Sequence, residues 1–149
     1  MGSEMCIRDR ADIAEPLSFA ADGSYDLIVC ILVLHYLKDW QPTLREFHRV
    51  LRSNGRLIFS THHPFTDLEL STGDDYFATE LLEDEWDVGK VQFYRRPLSK
   101  ISNDLIESGF VIEELAEPQP IKPPDDVVFK AYGRTMKKPA RLMVRAYKK

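Results

Sequence analysis

Tyr25-Asp26-Leu27-Ile28-Val29-Cys30-Ile31-Leu32-Val33-Leu34 is an apolar run with no polar alternation. A strand built from it must be covered on both faces, as the strands of a parallel sheet are. In the residues that follow, Asp39 to Leu51, the positions Leu44, Phe47, Val50 and Leu51 share one helical face, with Asp39 and Pro42 supplying a start. Asn54-Gly55 supplies the stop. Arg56-Leu57-Ile58-Phe59-Ser60-Thr61 then reads as a second buried strand, so strand, helix and strand form a crossover of right-handed sense in an α/β domain. Ligands of such sheets gather beyond the strand C-termini, here Cys30 to His35 and Thr61 to Phe65.

Length and composition fit one ordinary globular domain: 149 residues, 44% hydrophobic and 30% charged. The longest apolar run falls far short of a membrane span and no signal region opens the chain, so a cytoplasmic protein without a membrane partner is expected. Two cysteines, Cys6 and Cys30, do not make a disulfide framework. A net charge of −4 gives no global attraction to nucleic acid, although the charge is uneven. Asp67 to Asp87 carries nine acids and no Lys or Arg, while Ala131 to Lys149 carries seven bases and no acid. The basic residues alternate with Leu142, Val144 and Ala146 at strand spacing, which favours a charged outer face over a nucleic-acid surface.

Further along, Thr66 to Gly89 lacks periodicity and reads as a loop crossing the site mouth. Lys90 to Arg95 suits a short strand or an extended lead-in. Leu98, Ile101 and Leu105 suit a helix face ended by Gly109, Phe110 to Leu115 a strand, Pro118 to Pro124 a loop, Val127 to Met136 a short helix, and Arg141 to Tyr147 the last strand.

Asp12, Glu15-Pro16-Leu17-Ser18-Phe19, Asp22-Gly23-Ser24-Tyr25-Asp26-Leu27-Ile28-Val29, Leu32-Val33-Leu34-His35-Tyr36-Leu37 and Arg49-Val50-Leu51-Arg52, with Asn54-Gly55-Arg56-Leu57, resemble the second half of a class I S-adenosylmethionine-dependent methyltransferase, of the type 11 kind. Phe93 to Ser99, Leu105 to Phe110 and Glu117 to Pro120 resemble later segments of a small-molecule branch. The family's glycine-rich cofactor turn has no counterpart, because no Gly-x-Gly occurs and the seven glycines are isolated. The resemblance therefore implies a partial Rossmann-like sheet that lacks its first strands and has an antiparallel last strand. Residues 11–149 would be the C-terminal part of a methyltransferase domain. Residues 1–10 do not resemble the family, and Met5-Cys6-Ile7-Arg8-Asp9-Arg10 resembles translated sequencing-adapter sequence.

The implied activity is methyl transfer from S-adenosyl-L-methionine to a small-molecule acceptor, with activity of the shortened chain in doubt and self-association expected through an open sheet edge. The rival expectation is a non-catalytic α/β remnant or interaction module. A dinucleotide-dependent dehydrogenase fits less well, for want of its fingerprint.

On this resemblance Asp12 would accept the adenine amino group, with the Ile13 backbone against the ring, and Cys30, Ile31 and Leu32 would form a wall under the methionine part of the cofactor. Asp12 as a simple turn cap is the alternative. Cys30 has no flanking charge to activate it and suits packing. His35 follows at the expected pocket rim, where it could take a proton from substrate, or else pack against the Trp40 helix. His62 and His63, with Asp74 and Asp75 nearby, could suggest a metal, but adjacent residues of an extended segment face opposite ways and no third ligand has motif spacing. One of the two lining the acceptor pocket is expected instead, with simple packing the alternative, and no metal. Tyr94 and Arg95 resemble positions that fold over the acceptor, although an exposed strand end would show the same residues. Tyr76, Phe77 and Trp86 could make the acidic stretch an aromatic enclosure for a cationic acceptor, or that stretch could be a solvated flap.

Overall fold

The computed structural model describes residues 10–121 and 136–149. β1 (Tyr25–Ile31) leads through α1 (Gln41–Val50) to the long β2 (Leu51–His62), which runs parallel to β1 in the register Val29↔Ile58. A four-residue helix α2 (Pro64–Asp67) follows, then the hairpin β3 (Glu80–Trp86) and β4 (Gly89–Arg95), α3 (Leu98–Glu107), β5 (Phe110–Ala116) and β6 (Arg141–Lys148). The main sheet has the order β1-β2-β6-β5, and β6 is antiparallel to both its neighbours, as the resemblance implies. The β3–β4 hairpin is a separate two-stranded sheet.

α1 begins where expected, with Asp39 Oδ1 accepting the Gln41 N–H at 3.0 Å and Pro42 in its first turn. It ends earlier than Asn54-Gly55, at Val50. Leu51 is fully buried and turns extended to pair with Tyr25, so tertiary packing overrides the local stop signal. Asn54, at φ 61°, and Gly55 instead absorb a register shift within β2 before Leu27↔Arg56 resumes the ladder.

The core lies on one side of the main sheet. Leu44, Phe47 and Val50 of α1 and Ile101 and Leu105 of α3 join Cys30, Leu57, Phe59, Leu142, Val144 and Ala146 in one buried cluster. By strand alternation Leu27, Val29 and Ile31 face the other way, and they are 48%, 57% and 49% exposed. The expectation that β1 is covered on both faces is therefore not met: among the described residues both long helices occupy the same side, and β1 is an edge strand.

Thr66 to Gly89 is also more ordered than its lack of periodicity suggests. It contains the end of α2, a 3-10 turn at Leu68–Leu70 and all of β3. Buried Leu82 pairs with buried Phe93 to anchor the hairpin. All but the last residue of the expected helix from Val127 to Met136, and residues 122–124 of the loop from Pro118 to Pro124, lie outside the described residues.

Candidate active site

β1 ends at Ile31 and the chain turns sharply. Leu32 takes a left-handed backbone, φ 53°, while its N–H donates to Ser60 O on β2 at 3.0 Å. A 3-10 turn, Leu34–Tyr36, follows and is held from below. Trp40 Nε1 donates to Leu34 O at 2.7 Å within the core, and the buried Arg96 guanidinium lies 4.3 Å above the Trp40 ring and donates to Leu37 O. These contacts fix the turn between two regions of interest.

The first is an open cleft of about 620 Å³ lined by Arg10, Ala11, Asp12, Ile13, Val33, Tyr36 and Leu37. Asp12 Oδ1 accepts the Ala14 N–H at 2.9 Å, and Ile13 O accepts Thr43 Oγ1 at 2.8 Å, which ties this wall to α1. Asp12 thus closes a turn and also lines the cleft. Of the expected wall residues, the structure puts Cys30 in the core, with burial raising its thiol pKa to about 11, and Ile31 on the bare face of the sheet. The wall opposite Asp12 is made instead by Val33, Tyr36 and Leu37, displaced along the chain by the Leu32 turn.

The second region is a cluster of rings on the far side of the turn. His35 is not at a rim: it is 1% exposed, and both ring nitrogens lack a partner. Its ring stacks on His62 at 4.2 Å between centroids, touches Tyr36 at 4.3 Å and meets the edge of Phe93 at 5.9 Å. Burial first, then the nearby His62, Arg141 and Arg96, lower its pKa to about 3. A proton acceptor that weak does not suit the general-base role expected of it. His62 keeps 7% of its surface open, packs on Phe93 at 4.6 Å and Trp86 at 5.7 Å, and places Nδ1 3.4 Å from Asp67 Oδ1.

His63 faces elsewhere. Its Nδ1 accepts the Phe65 N–H at 3.2 Å at the start of α2, which leaves Nε2 to donate to Glu117 Oε1 at 2.7 Å. The His63 N–H donates to Ala140 O at 3.4 Å, Thr66 Oγ1 donates to Pro139 O, and Lys138 pairs with Glu69. The chain just after β5 and the chain just before β6 are thus both fastened to α2 and the turn behind it. His63 is a latch, distinct from the ring cluster, and among the described residues no group of three or more His, Cys, Asp or Glu is placed to hold a metal.

Tyr94 is half-buried opposite Leu81 in the hairpin. Arg95, 1% exposed, donates to Tyr76 O and Asp75 O at 2.9 Å and to Glu80 Oε2 at 3.2 Å, so it clamps the preceding loop rather than folding over an acceptor. The expected aromatic enclosure does not form. Phe77 is 76% exposed and Tyr76 Oη accepts the Leu98 N–H at 3.1 Å; only Trp86 faces the ring cluster. Sequence reasoning missed Asp67 and Phe93. The signal for Asp67 was Pro64 directly after His63, which starts a helical turn that carries Asp67 back beside His62.

The methyltransferase domain family matches residues 8–59. A human thiol S-methyltransferase is 40% identical over 72 residues, covering 48% of this chain and 28% of the relative. An S-adenosylmethionine dependent methyltransferase structure from Mesorhizobium loti superposes with a TM-score of 0.78 at 27% identity, over 99% of this chain and 72% of that one. A Listeria monocytogenes protein assigned to the same class gives a TM-score of 0.81 at 22% identity, over 99% of this chain and 71% of that one. The chain spans less than half the length of the curated relatives first matched, between 25% and 47%. No helix among the described residues is long and apolar enough to cross a membrane.

Proposed function

For a chain that carries the fold of the class I S-adenosylmethionine-dependent methyltransferases and matches their domain family over residues 8–59, we propose methyl transfer from S-adenosyl-L-methionine to a small-molecule acceptor. One observation carries the reading: Tyr36 lines the open cleft and its ring touches His35, which stacks on His62. A donor cleft and an acceptor region therefore share a single wall, the geometry a two-reactant transfer needs. The residues present fit the adenosine end of the donor, since Asp12 offers a carboxylate for an amino group while Ile13, Val33 and Tyr36 offer apolar and aromatic surface. When bound, this cofactor supplies an electrophilic methyl group on a sulfonium.

Within that reading Asp12 and Ile13 position the adenine, and the 3-10 turn holds the cleft wall against the ring cluster. Cys30 contributes packing, Ile31 and Leu32 set the course of the turn, and Tyr94 stiffens the hairpin beside it. His63 supports the acceptor side indirectly, by fixing α2. The alternative of a non-catalytic interaction module draws on the absent Gly-x-Gly turn and on the bare face of β1. Calorimetry with S-adenosylhomocysteine separates the two. Binding that weakens by about 1–3 kcal/mol in Asp12→Ala supports the enzyme reading. No heat at millimolar ligand would favour the module.

A further inference from the structure

The ring cluster contains two buried histidines in different situations. His35 is closed off, and both its nitrogens are unpartnered. His62 lies nearer the surface and has Asp67, itself 6% exposed, against Nδ1. A carboxylate at one imidazole nitrogen holds the proton there and leaves the other nitrogen as a lone pair, the arrangement by which an aspartate orients a catalytic histidine. The separation of 3.4 Å is longer than a formed hydrogen bond, of the loose kind that shortens when a site closes on its substrate.

We propose that His62 Nε2, oriented by Asp67, takes the proton from the methyl acceptor, and that the acceptor class is a neutral molecule with a hydroxyl or thiol nucleophile. This rests on the methyltransferase reading above. Among the described residues, the groups facing His62 include His35 from the 3-10 turn, Asp67 from α2, Trp86 from β3, Phe93 from β4 and Arg141, its register partner on β6. Arg141 and Arg96 add positive charge to this neighbourhood, acting on His35 after burial and His62. Positive charge there stabilises the developing alkoxide or thiolate and disfavours an ammonium acceptor. In the step, Nε2 gains the O–H or S–H proton while the oxygen or sulfur lone pair bonds the methyl carbon. The carbon–sulfonium bond breaks with its electron pair passing to the donor sulfur, giving the methylated acceptor, the neutral thioether and imidazolium, which later releases its proton to water.

Two measurements on the full chain test this. Long-range proton–nitrogen NMR of the ¹⁵N-labelled protein at pH 7.5 should show His62 protonated on Nδ1 in the wild type and shifted toward the Nε2–H tautomer in Asp67→Asn. An Nε2–H tautomer in the wild type overturns the proposal. Methylation is then followed with an alkyl thiol, protonated at neutral pH, and with an acidic aryl thiol that is already a thiolate. His62→Gln should lower the alkyl thiol rate roughly a hundredfold and the thiolate rate only a few-fold, with S-adenosylhomocysteine affinity unchanged. Equal losses on both thiols would make His62 a packing residue and overturn the proposal. Absence of S-adenosylhomocysteine binding would refute the proposed function instead, while the tautomer measurement would still decide the His62–Asp67 assignment.

Discussion

Replacing His35 by Phe should make the protein less sensitive to acid, and the size of the effect follows from its burial. In the unfolded chain the imidazole titrates at its ordinary 6.5, whereas in the folded protein burial brings it to about 3. The folded state thus excludes a proton that the unfolded state binds. The associated stability is fully present above pH 6.5 and is lost as pH falls from there toward 3. Between pH 7.5 and pH 5 the loss amounts to about 2 kcal/mol, from 1.36 kcal/mol per unit over the part of the window below 6.5. Phe keeps a ring against His62 and leaves no hydrogen bond unmade, because neither nitrogen of His35 has a partner. Urea unfolding of both proteins at the two pH values isolates this contribution, since His48, Asp67 and the other titrating groups are common to both. The wild type should lose about 2 kcal/mol more than His35→Phe. Equal losses would mean that His35 is reached by protons in the native state and that the ring cluster is open to water.

Trp40→Phe removes the indole donor from Leu34 O and the ring under Arg96, so a loss of about 3 kcal/mol is expected in urea unfolding followed by the fluorescence of Trp86, the remaining tryptophan. A loss below about 1 kcal/mol would show that the 3-10 turn does not depend on it. The bare apolar face and open edge of β1 predict self-association at tens of micromolar on size-exclusion chromatography, reduced by Val29→Lys with Ile31→Lys; a sharp wild-type monomer would refute that.

The crossover from β1 to β2 was legible because its signals are local: an unbroken apolar run, helical spacing of Leu44, Phe47 and Val50, and a second apolar run. The hairpin was legible only in β4, as Lys90 to Arg95. Its acids alternate with few buried residues, Leu82 and Phe93 among them, and its pairing is set by contacts distant in sequence. The same limit explains His35. Its position after a strand end was legible, but Phe93 and His62, which bury it, belong to other elements. Opposite facing of His62 and His63 followed from strand geometry alone. That Asp67 would return to His62 required α2, a helix too short for periodicity to reveal.

Glu117 and Ala140 are both moored to His63, one through its ring and the other through its backbone. The chain leaving β5 and the chain entering β6 are therefore held at one point. Position 63 thus couples the end of β5 to the start of β6, so a disturbance of α2 reaches both strand ends at once.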